Sequence, residues 1–568
     1  MLPFHALLNL PPDLRPQLRP AWMIVWAGLT VTLLAACAGQ GPHPADAGGQ
    51  LFARGLDEIS DLYVEPVSVR RVALSGVARL SRLDNKLGVG DGLGTSFGAA
   101  LTLSYDNRDI AFYAMPADQD GRHWGQLIAT VIAAAKQASP ELAALPQERI
   151  ERAVFGGMTA ALDRFSHYSG PETARDQRAA RDGFGGIGIT FDTTDPLLRV
   201  AAVSPQSPAD RAGIRPEDQI VAINGVATAG SSHDDAIHQL RGPIGSAVAV
   251  RVLRSGAPGP RELQLHRALV TMPTVTMSRD GNISVFRIAS FNRSTTKRIA
   301  EGLAELQRQT GGRLAGIVLD LRNNPGGLLD QAVSLADLFI HHGPIASTVG
   351  RHPASHQYFA ASGGSIAPQT PLVVLINGGS ASAAEIVAAA LQDAGRAVIM
   401  GSSSYGKGTV QTVLRLPNDG ELTLTWARLV TPSGYLLQTH GVVPTLCTAD
   451  LGDDERSLAI GLQRASAVPG AVSGAGLAAR PRAALDDHAW SELHRSCPGR
   501  RASPAIDLKL AERVLADPKL YSAALNTLPA STRLAQTTPG QSAPGPGQLD
   551  GRPDGRPDGR QRGGQSQP

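Results

Sequence analysis

The pattern of apolar and polar positions divides the chain into blocks of different type. Helical periodicity dominates residues 38–182, but residues 85–123 interrupt it with a glycine-rich stretch and two β-rich runs that flank Asp106-Asn107-Arg108-Asp109. Two such runs around a polar turn predict a β-hairpin. We therefore expect a mainly helical N-terminal domain with a hairpin insertion.

The pattern changes again at Gly183. Residues 183–268 contain short alternating runs and one amphipathic helix, HDDAIHQLRG, and this predicts a compact β-rich domain. Residues 269–450 alternate strands and helices, as in AGIVLDL, GGLLDQAVSLADLFI and PLVVLIN. Such alternation predicts an α/β core with a mainly parallel sheet. The expected fold class is thus multidomain, with a helical N-terminal domain, a β-rich domain and an α/β core.

The N-terminal segment predicts export. An uncharged apolar run at residues 21–38 follows two arginines, which is the pattern of a signal segment. The run ends in Leu34-Ala35-Ala36-Cys37, which resembles a bacterial lipobox, so we interpret residues 1–37 as a lipoprotein signal with Cys37 as the lipidated residue. An uncleaved anchor is the alternative, because the run approaches the ~20 residues that span a bilayer. Both interpretations predict a protein of the bacterial cell envelope, tethered to a membrane on its periplasmic or other extracytoplasmic side.

The C-terminal part is less patterned. We expect residues 451–534 to be an extension with a helix at IDLKLAERVLAD. Residues 535–568 are expected to be disordered, because the repeat DGRPDGRPDGR has no apolar side chain to bury. If Cys37 carries lipid, Cys447 and Cys497 are left in an oxidising compartment, either as a disulfide or as two thiols.

Composition and charge exclude some classes of protein. Apolar residues make up 42% of the chain, enough for folded cores, and 53 basic against 50 acidic residues give a net charge of +3. No basic block interleaved with aromatic residues is present in the sequence, so nucleic acid is not an expected partner.

One short motif raises a nucleotide-binding alternative. Gly401-Ser-Ser-Ser-Tyr-Gly406-Lys407 fits the first seven positions of a phosphate-binding loop, but Gly408 stands where a Ser or Thr hydroxyl would bind magnesium. The following TVQTVLRL alternates like a strand, whereas that loop requires a helix. A lysine in a glycine-bounded turn is expected to be partly buried, and burial lowers its pKa toward that of a base.

A candidate nucleophile lies upstream of this lysine. The apolar strand PLVVLIN ends in a glycine turn, and a helix then begins near Ser382, where the helix N-terminus favours developing negative charge. The N–H of Ala383 is available as an oxyanion donor. The alternative is purely structural, because Ser382 and Glu385 also have the spacing of a capping box.

Three further features favour catalysis. Gln411 lies four residues after Lys407, so on a strand the two side chains would share a face and the amide could orient the amine. Gly326 and Gly327 follow the buried strand AGIVLDL and can complete an oxyanion hole. The histidines show neither the pattern of a Ser-His-Asp triad nor that of a metal site.

These motifs together resemble the carboxyl-terminal processing proteases, also called tail-specific proteases, which are serine peptidases with a Ser/Lys dyad. The resemblance spans roughly residues 150–445 and rests on five segments: Leu162 to Tyr168, Leu319 to Gly327, Ser380 to Ile386, Tyr405 to Gln411 and Leu429 to Gly434. Residues 207–225 resemble a bacterial PDZ domain and lie before the core, as in the family. The hairpin insertion is not a feature that we associate with the family.

The resemblance implies a role for each site residue. Ser382 would attack the scissile carbonyl, Lys407 would take its proton and Gln411 would position Lys407. Ala383 N–H would hold the oxyanion together with an N–H of Gly326 or Gly327, and Ser380 would cap the helix. The PDZ loop would bind a terminal carboxylate through the backbone of four residues: Gly185, Gly186, Ile187 and Gly188.

The expected function is therefore that of a tethered serine endopeptidase that processes or degrades envelope proteins. No metal or organic cofactor is implied. The expected partners are proteins or peptides with exposed C-termini and the membrane, and the sequence specifies neither an adaptor nor a homo-oligomer. The alternative function is that of a catalytically weak PDZ adaptor that only binds peptides.

Overall fold

The computed structural model describes residues 44–92, 100–466, 482–502 and 504–526. The predicted signal segment with Cys37 and the predicted disordered tail lie outside these ranges. Within them, no helix combines the length and apolar character needed to cross a bilayer.

The N-terminal region is helical with a small sheet. Its helices are α1 Pro44–Leu62, α2 Val69–Val77, α3 Gly121–Ala138, α4 Pro140–Ala143, α5 Gln147–Ala160 and α6 Pro171–Asp182, and its strands are β1 Leu87–Gly92, β2 Ala100–Tyr105, β3 Arg108–Ala114 and β4 His167–Ser169. Glycine at position 125 allows helices α1 and α3 to pack closely. A Cβ atom there would lie only 2.3 Å from the nitrogen of Ala53. Strands β2 and β3 form the predicted hairpin, and β1 extends it into a three-stranded sheet.

The β-rich domain comes next. It contains β5 Phe184–Gly186, β6 Ile189–Phe191, β7 Val200–Val203, α7 Pro208–Arg211, β8 Gln219–Ile223, β9 Val226–Ala227, α8 His233–Leu240, β10 Ala247–Leu253, β11 Arg261–His266 and β12 Ala268–Val270. Strands β8 to β11 form one sheet, while β5 pairs with β12 and β6 pairs with β7. The buried side chains of these strands and of α8 form a separate hydrophobic core.

The α/β core contains β13 Val275–Asp280, β14 Ile283–Ile288, α9 Thr295–Thr310, β15 Gly316–Asp320, α10 Leu329–Asp337, β16 Pro344–Val349, β17 Gln357–Ala360, β18 Leu372–Ile376, α11 Ala383–Asp393, β19 Val398–Gly401, β20 Thr409–Arg415, β21 Glu421–Val430 and β22 Leu446–Cys447. Six strands form the central sheet in the order β13-β14-β15-β18-β19-β22. Strand β13 is antiparallel to β14, and the other neighbours are parallel. Strands β15, β18 and β19 are therefore adjacent, and the loops that follow them meet at the carboxyl edge of the sheet.

A second sheet joins the core to the N-terminal region. Strands β17, β16, β21 and β20 are neighbours in that order, and β4 pairs with β21. Leu416, Leu422 and Leu424 of this sheet belong to the hydrophobic core of the N-terminal helices. The two regions are thus packed on one another through shared apolar burial.

The C-terminal extension is more ordered than its sequence pattern predicts. The helix expected at IDLKLAERVLAD is present, and the extension contains α12 Glu455–Ser466, α13 Asp487–Ser496, α14 Ala505–Ala516 and α15 Pro518–Asn526. Buried side chains of α12, α14 and α15 pack against one face of the central sheet, while α9 to α11 lie on the other. The extension therefore completes a three-layer core.

Candidate active site

Ser382 lies where the structure changes from strand to helix. Every side chain of β18 is buried, and α11 begins one residue after Ser382. Ser382 has φ of +54°, a backbone region that non-glycine residues rarely adopt and that costs about 1–3 kcal/mol. The turn is held by hydrogen bonds from Ala381 N–H to the carbonyl of Asn324 (2.9 Å) and from Tyr405 N–H to the carbonyl of Ser380 (2.9 Å). Strain maintained in this way is typical of functional turns.

The prediction that Ser380 caps the helix is wrong. Its hydroxyl is fully buried, donates to the carbonyl of Leu321 at 2.8 Å and accepts from the N–H of Asn377 at 2.9 Å. Ser380 therefore closes the turn between β18 and α11 and ties it to the end of β15.

Glu385 is a residue whose role the sequence reasoning missed. It is completely buried and accepts four hydrogen bonds: from Ser382 N–H (2.7 Å), Ser404 Oγ (2.5 Å), Gly406 N–H (2.6 Å) and Lys407 N–H (3.0 Å). Burial raises the pKa of the Glu385 carboxyl, and the hydrogen bonds oppose that rise. The capping-box spacing accounts for the bond from Ser382 N–H, whereas the bonds from Ser404, Gly406 and Lys407 are the part that was missed.

One oxygen of Glu385 joins the two predicted catalytic segments. Its Oε2 accepts from both Ser382 N–H and Lys407 N–H, so the backbones of the two residues lie around a single atom. The carboxylate thereby sets where the Lys407 loop lies relative to the Ser382 turn.

Lys407 lies in a loop whose conformation requires glycine at the next position, residue 408. Gly408 has φ of +46°, and a Cβ there would be 1.8 Å from the nitrogen of Gln438. The loop is followed by a strand, which the nucleotide-binding alternative does not permit. The Lys407 Nζ is 5.3 Å from the centroid of the Phe165 ring. Burial lowers the pKa of Lys407, while the negative charges of Glu385 and Asp163 oppose that change.

Gln411 is not hydrogen-bonded to Lys407, contrary to the expectation from the strand pattern. Strand β20 begins at Thr409, so Lys407 lies outside it and the two residues do not share a strand face. Gln411 Nε2 instead donates to Thr409 Oγ1 (2.9 Å) and Thr425 Oγ1 (3.3 Å). In the part of the chain that the structure describes, no hydrogen bond joins Lys407 Nζ to Gln411 or to Ser382 Oγ.

The glycine turn after β15 faces the candidate nucleophile. A Cβ at Gly326 would be 2.8 Å from Ser382 Cβ and 3.0 Å from Ala383 N, so glycine is required for this approach. Gly326 N–H donates to Asn324 Oδ1 at 2.8 Å and is therefore engaged. The N–H groups of Gly327 and Ala383 have no hydrogen-bond acceptor among the described residues. Of the two predicted glycine donors, Gly327 is therefore available to an oxyanion and Gly326 is not.

A cavity of about 280 Å³ is lined by Phe165, whose ring lies near Lys407 Nζ, and by Thr409, two residues after Lys407. Its lining includes Asp163 and Phe165 of the segment from Leu162 to Tyr168, together with Thr409 and Thr425. Ser166 Oγ of the same segment accepts from Thr425 N–H at 3.1 Å. The N-terminal region therefore forms one wall next to Lys407.

The predicted carboxylate-binding loop lies at the edge of the β-rich domain. The carbonyls of Gly185, Ile187 and Gly188 accept from Gly242, Ala209 and Ser204. The N–H groups of Ile187 and Gly188 have no acceptor within the described ranges. Strand β6 continues from this loop and, among the described strands, pairs on one side only, with β7. The Phe191 ring on β6 lies 6.1 Å from the His233 ring on α8, so β6 and α8 are neighbours.

The remaining predicted residues are the cysteines. A disulfide joins Cys447, in the last strand of the central sheet, to Cys497, directly after α13, with a Cα–Cα distance of 5.8 Å. Cys37 lies outside the described residues.

Comparison with known families agrees with this arrangement. The model of peptidase family S41 matches residues 282–447, and a PDZ-domain model matches residues 199–254. The fold and the site therefore define a serine-type peptidase that carries a PDZ domain.

Individual relatives narrow the class. The chain is 39% identical over 302 residues to the carboxy-terminal-processing protease of Bartonella bacilliformis, covering 53% of this chain and 69% of that protein. It is 34% identical over 296 residues to the carboxyl-terminal-processing protease of Synechocystis, covering 50% of this chain and 68% of that protein. A solved photosystem II D1 C-terminal processing protease is 27% identical, covers 70% of this chain and 92% of its own, and has a TM-score of 0.34. This chain belongs to the carboxy-terminal-processing protease family.

Proposed function

We propose that Ser382 and Lys407 form the catalytic dyad of this peptidase. The observation that carries the proposal is the buried Glu385 carboxylate, which binds the backbones of both residues through one oxygen. A free serine is a weak nucleophile, and a desolvated amine next to it is a recognised activator. Burial of Lys407 favours the neutral amine that can accept the serine proton.

The proposed dyad would act in two steps. Neutral Lys407 takes the proton of Ser382 Oγ as the oxygen attacks the scissile carbonyl, and the N–H groups of Ala383 and Gly327 donate to the oxyanion. Lys407 then gives the proton to the leaving amine, and water hydrolyses the acyl-enzyme with Lys407 as the base. We assign Gln411 to positioning Lys407 through Thr409, its hydrogen-bond partner.

The PDZ domain would supply the substrate. We propose that the N–H groups of Ile187 and Gly188 bind the terminal carboxylate of a protein tail, while the open edge of β6 pairs with the tail as an added strand. A tail bound there is delivered to a site on the same chain, so a protein with an exposed C-terminus is the substrate class.

Tail binding would also assemble the dyad. The Ser382 hydroxyl and the Lys407 amine are not hydrogen-bonded in this structure, so a closing step must precede catalysis. Helix α6 links the two domains, because Asp176 pairs with Arg241 of the PDZ domain (3.4 Å) while Arg178 pairs with Glu421 of the core (3.1 Å). A tail that shifts the PDZ domain would act on the core through this helix by a population shift.

We further propose that the protein works in the bacterial cell envelope, tethered through Cys37 or through an uncleaved signal anchor. The disulfide between Cys447 and Cys497 supports an extracytoplasmic compartment, because cytosolic thiols are kept reduced.

The test is cleavage of an unstructured protein with an apolar C-terminal tail by the full chain in detergent. Ser382→Ala and Lys407→Ala should each lower kcat by roughly 10³-fold or more while tail binding is retained. If the parent chain and both variants bind the tail equally and none cuts it, the protein is the peptide-binding adaptor instead. If either variant cuts as fast as the parent chain, the dyad is wrong.

A further inference from the structure

A short segment of the C-terminal extension lies across both catalytic loops. We call residues 497–502, which directly follow α13, the C-terminal strap. The strap lies outside the match with peptidase family S41, which ends at residue 447. It also lies outside the five segments on which the family resemblance rests. Its contacts are made mainly by backbone groups.

The strap binds the loop that leads to Lys407. Ser403 Oγ donates to the carbonyl of Cys497 at 2.6 Å. Ser402 Oγ donates to the carbonyl of Arg500 at 3.2 Å and accepts from the N–H of Arg500 at 3.1 Å. Both serines are buried, so leaving their hydroxyls without these partners would be costly.

The strap also binds the turn that leads to Ser382. The N–H of Gly378 donates to the carbonyl of Arg500 at 2.7 Å, and Asn377 Nδ2 donates to the carbonyls of Arg501 and Ala502 at 3.2 Å each. A Cβ at Gly378 would be 3.0 Å from the nitrogen of Arg500, so the two backbones are in direct contact. The Arg500 carbonyl therefore accepts from both catalytic loops at once.

The start of the strap and the helix that follows it are both fixed to the core. At one end, the disulfide attaches Cys497 to Cys447, whose strand partner is Gly401, the last residue before the Lys407 loop. Beyond the strap, buried Asp507 of α14 pairs with Arg322 at 3.2 Å, next to the proposed oxyanion turn. The strap itself thus contacts the two loops that carry Ser382 and Lys407, and the helix that follows it pairs with the start of the third.

We propose that the C-terminal strap is a positioning element that holds the backbones of the Ser382 turn and the Lys407 loop next to each other, so that the Lys407 side chain can close onto Ser382, and that the Cys447–Cys497 disulfide keeps it in place. This proposal rests on the proposed dyad and adds a requirement to it. In the presence of a dithiol reductant, two electrons and two protons pass to the disulfide, which becomes two thiols, while the reagent becomes a cyclic disulfide. The released strap would leave the Lys407 loop less closely packed.

The experiment measures kcat, KM and the pH profile of kcat/KM for tail-substrate cleavage by the full chain. The double variant Cys447→Ser with Cys497→Ser should lower kcat by roughly 10- to 100-fold, because small displacements of reacting groups cost that much, with KM unchanged. Its acidic limb should move to higher pH, because a more hydrated Lys407 amine regains its proton more readily. A purely structural bond would lower the melting temperature without moving this limb.

Tyr521→Phe is the matched control. Tyr521 Oη accepts from Leu372 N–H at 3.1 Å, so this substitution loosens the extension at the amino end of β18, opposite the catalytic loops. It should lower the melting temperature and leave kcat and the pH limb unchanged. If the double variant fails to fold, two other measurements take its place: the Ser403→Ala variant, and the folded parent chain after reduction. Each should show the fall in kcat that is expected of the double variant.

The outcomes are separable. The strap proposal is overturned if the disulfide variant keeps the parent kcat and pH limb, or if Tyr521→Phe lowers kcat as much. Reductant should have no further effect on the double variant, and an equal loss there would also count against the strap. If Ser382→Ala still cuts the tail, the dyad itself fails and both proposals fall together.

Discussion

The turn that carries Ser382 and the loop that carries Lys407 lie side by side but differ in how far each fixes its reactive side chain. The Ser382 turn is closed by the buried side chains of Asn377 and Ser380, and the oxyanion donors face it. The Lys407 loop has a fixed backbone, but the amine makes no hydrogen bond within the described residues and lies near the Phe165 ring. The proposed nucleophile and oxyanion donors are therefore held in place, whereas the proposed base still has to reach its partner.

Replacing the base gives the largest expected effect. Lys407→Arg keeps the positive charge and the long side chain but cannot supply a neutral amine at working pH. We expect kcat to fall by roughly 10³-fold, as for removal of a general base, with tail affinity retained. Single-turnover cleavage and tail binding measured on the same preparation check this. A variant that retains activity would mean that the lysine acts only as a cation.

Disrupting the link between the two segments comes next. Glu385→Gln preserves shape, but the amide nitrogen cannot accept from the buried N–H groups that the carboxylate now binds. We expect a loss of about 3 kcal/mol in the free energy of unfolding, since each unsatisfied buried donor costs about 1–3 kcal/mol. Urea denaturation measures this, and kcat should fall with it. A stable variant with lost activity would assign Glu385 to positioning alone.

The pH profile tests the environment of the lysine. Activity requires the neutral amine, so kcat/KM should rise as pH increases through the pKa of Lys407, which burial holds below the ordinary lysine value of about 10.4. Asp163→Asn removes a negative charge that raises this pKa, so the rise should occur at lower pH. Lys407→Ala should abolish the limb. A limb that Asp163→Asn leaves in place would show that another group titrates.

The smallest expected effect concerns the link through helix α6. Asp176→Asn breaks the ion pair with Arg241, and because the Asp176 side chain is 66% exposed the pair contributes only about 0.2–1 kcal/mol. We expect a less than about fivefold rise in cleavage of a substrate without a tail, since 1.4 kcal/mol corresponds to tenfold. Arg251, paired with Glu262 within the PDZ domain, offers a control as Arg251→Gln. An equal rise in both variants would contradict a role for α6.

The sequence predicted the parts of the site that local patterns encode. Ser382 follows a buried strand and Lys407 lies between glycines, and both features can be read from neighbouring residues. The strand-face argument for Gln411 failed because β20 starts two residues after Lys407. The prediction for Ser380 failed because its hydroxyl bonds to Leu321, which is 59 residues away in the chain. Sequence spacing gives no information at that distance.

The contacts of the strap were beyond sequence reasoning for a different reason. They are made by backbone carbonyls of residues 497, 500, 501 and 502, and a carbonyl is the same in every residue. Neither the periodicity of the sequence nor its residue types can therefore predict these backbone contacts. The helices of the extension were also obscured, because their apolar faces are short and separated by residues rich in alanine and glycine.

If the strap positions the Lys407 loop as proposed, its place in the chain determines when activity can begin during synthesis. Ser403 and Cys497 are separated by 94 residues, so the Lys407 loop leaves the ribosome long before the segment that holds it. At about 5–20 residues per second, this interval lasts about 5–20 s. A chain in that interval contains the proposed catalytic residues but lacks the strap, so under the strap proposal its dyad is not yet held in position.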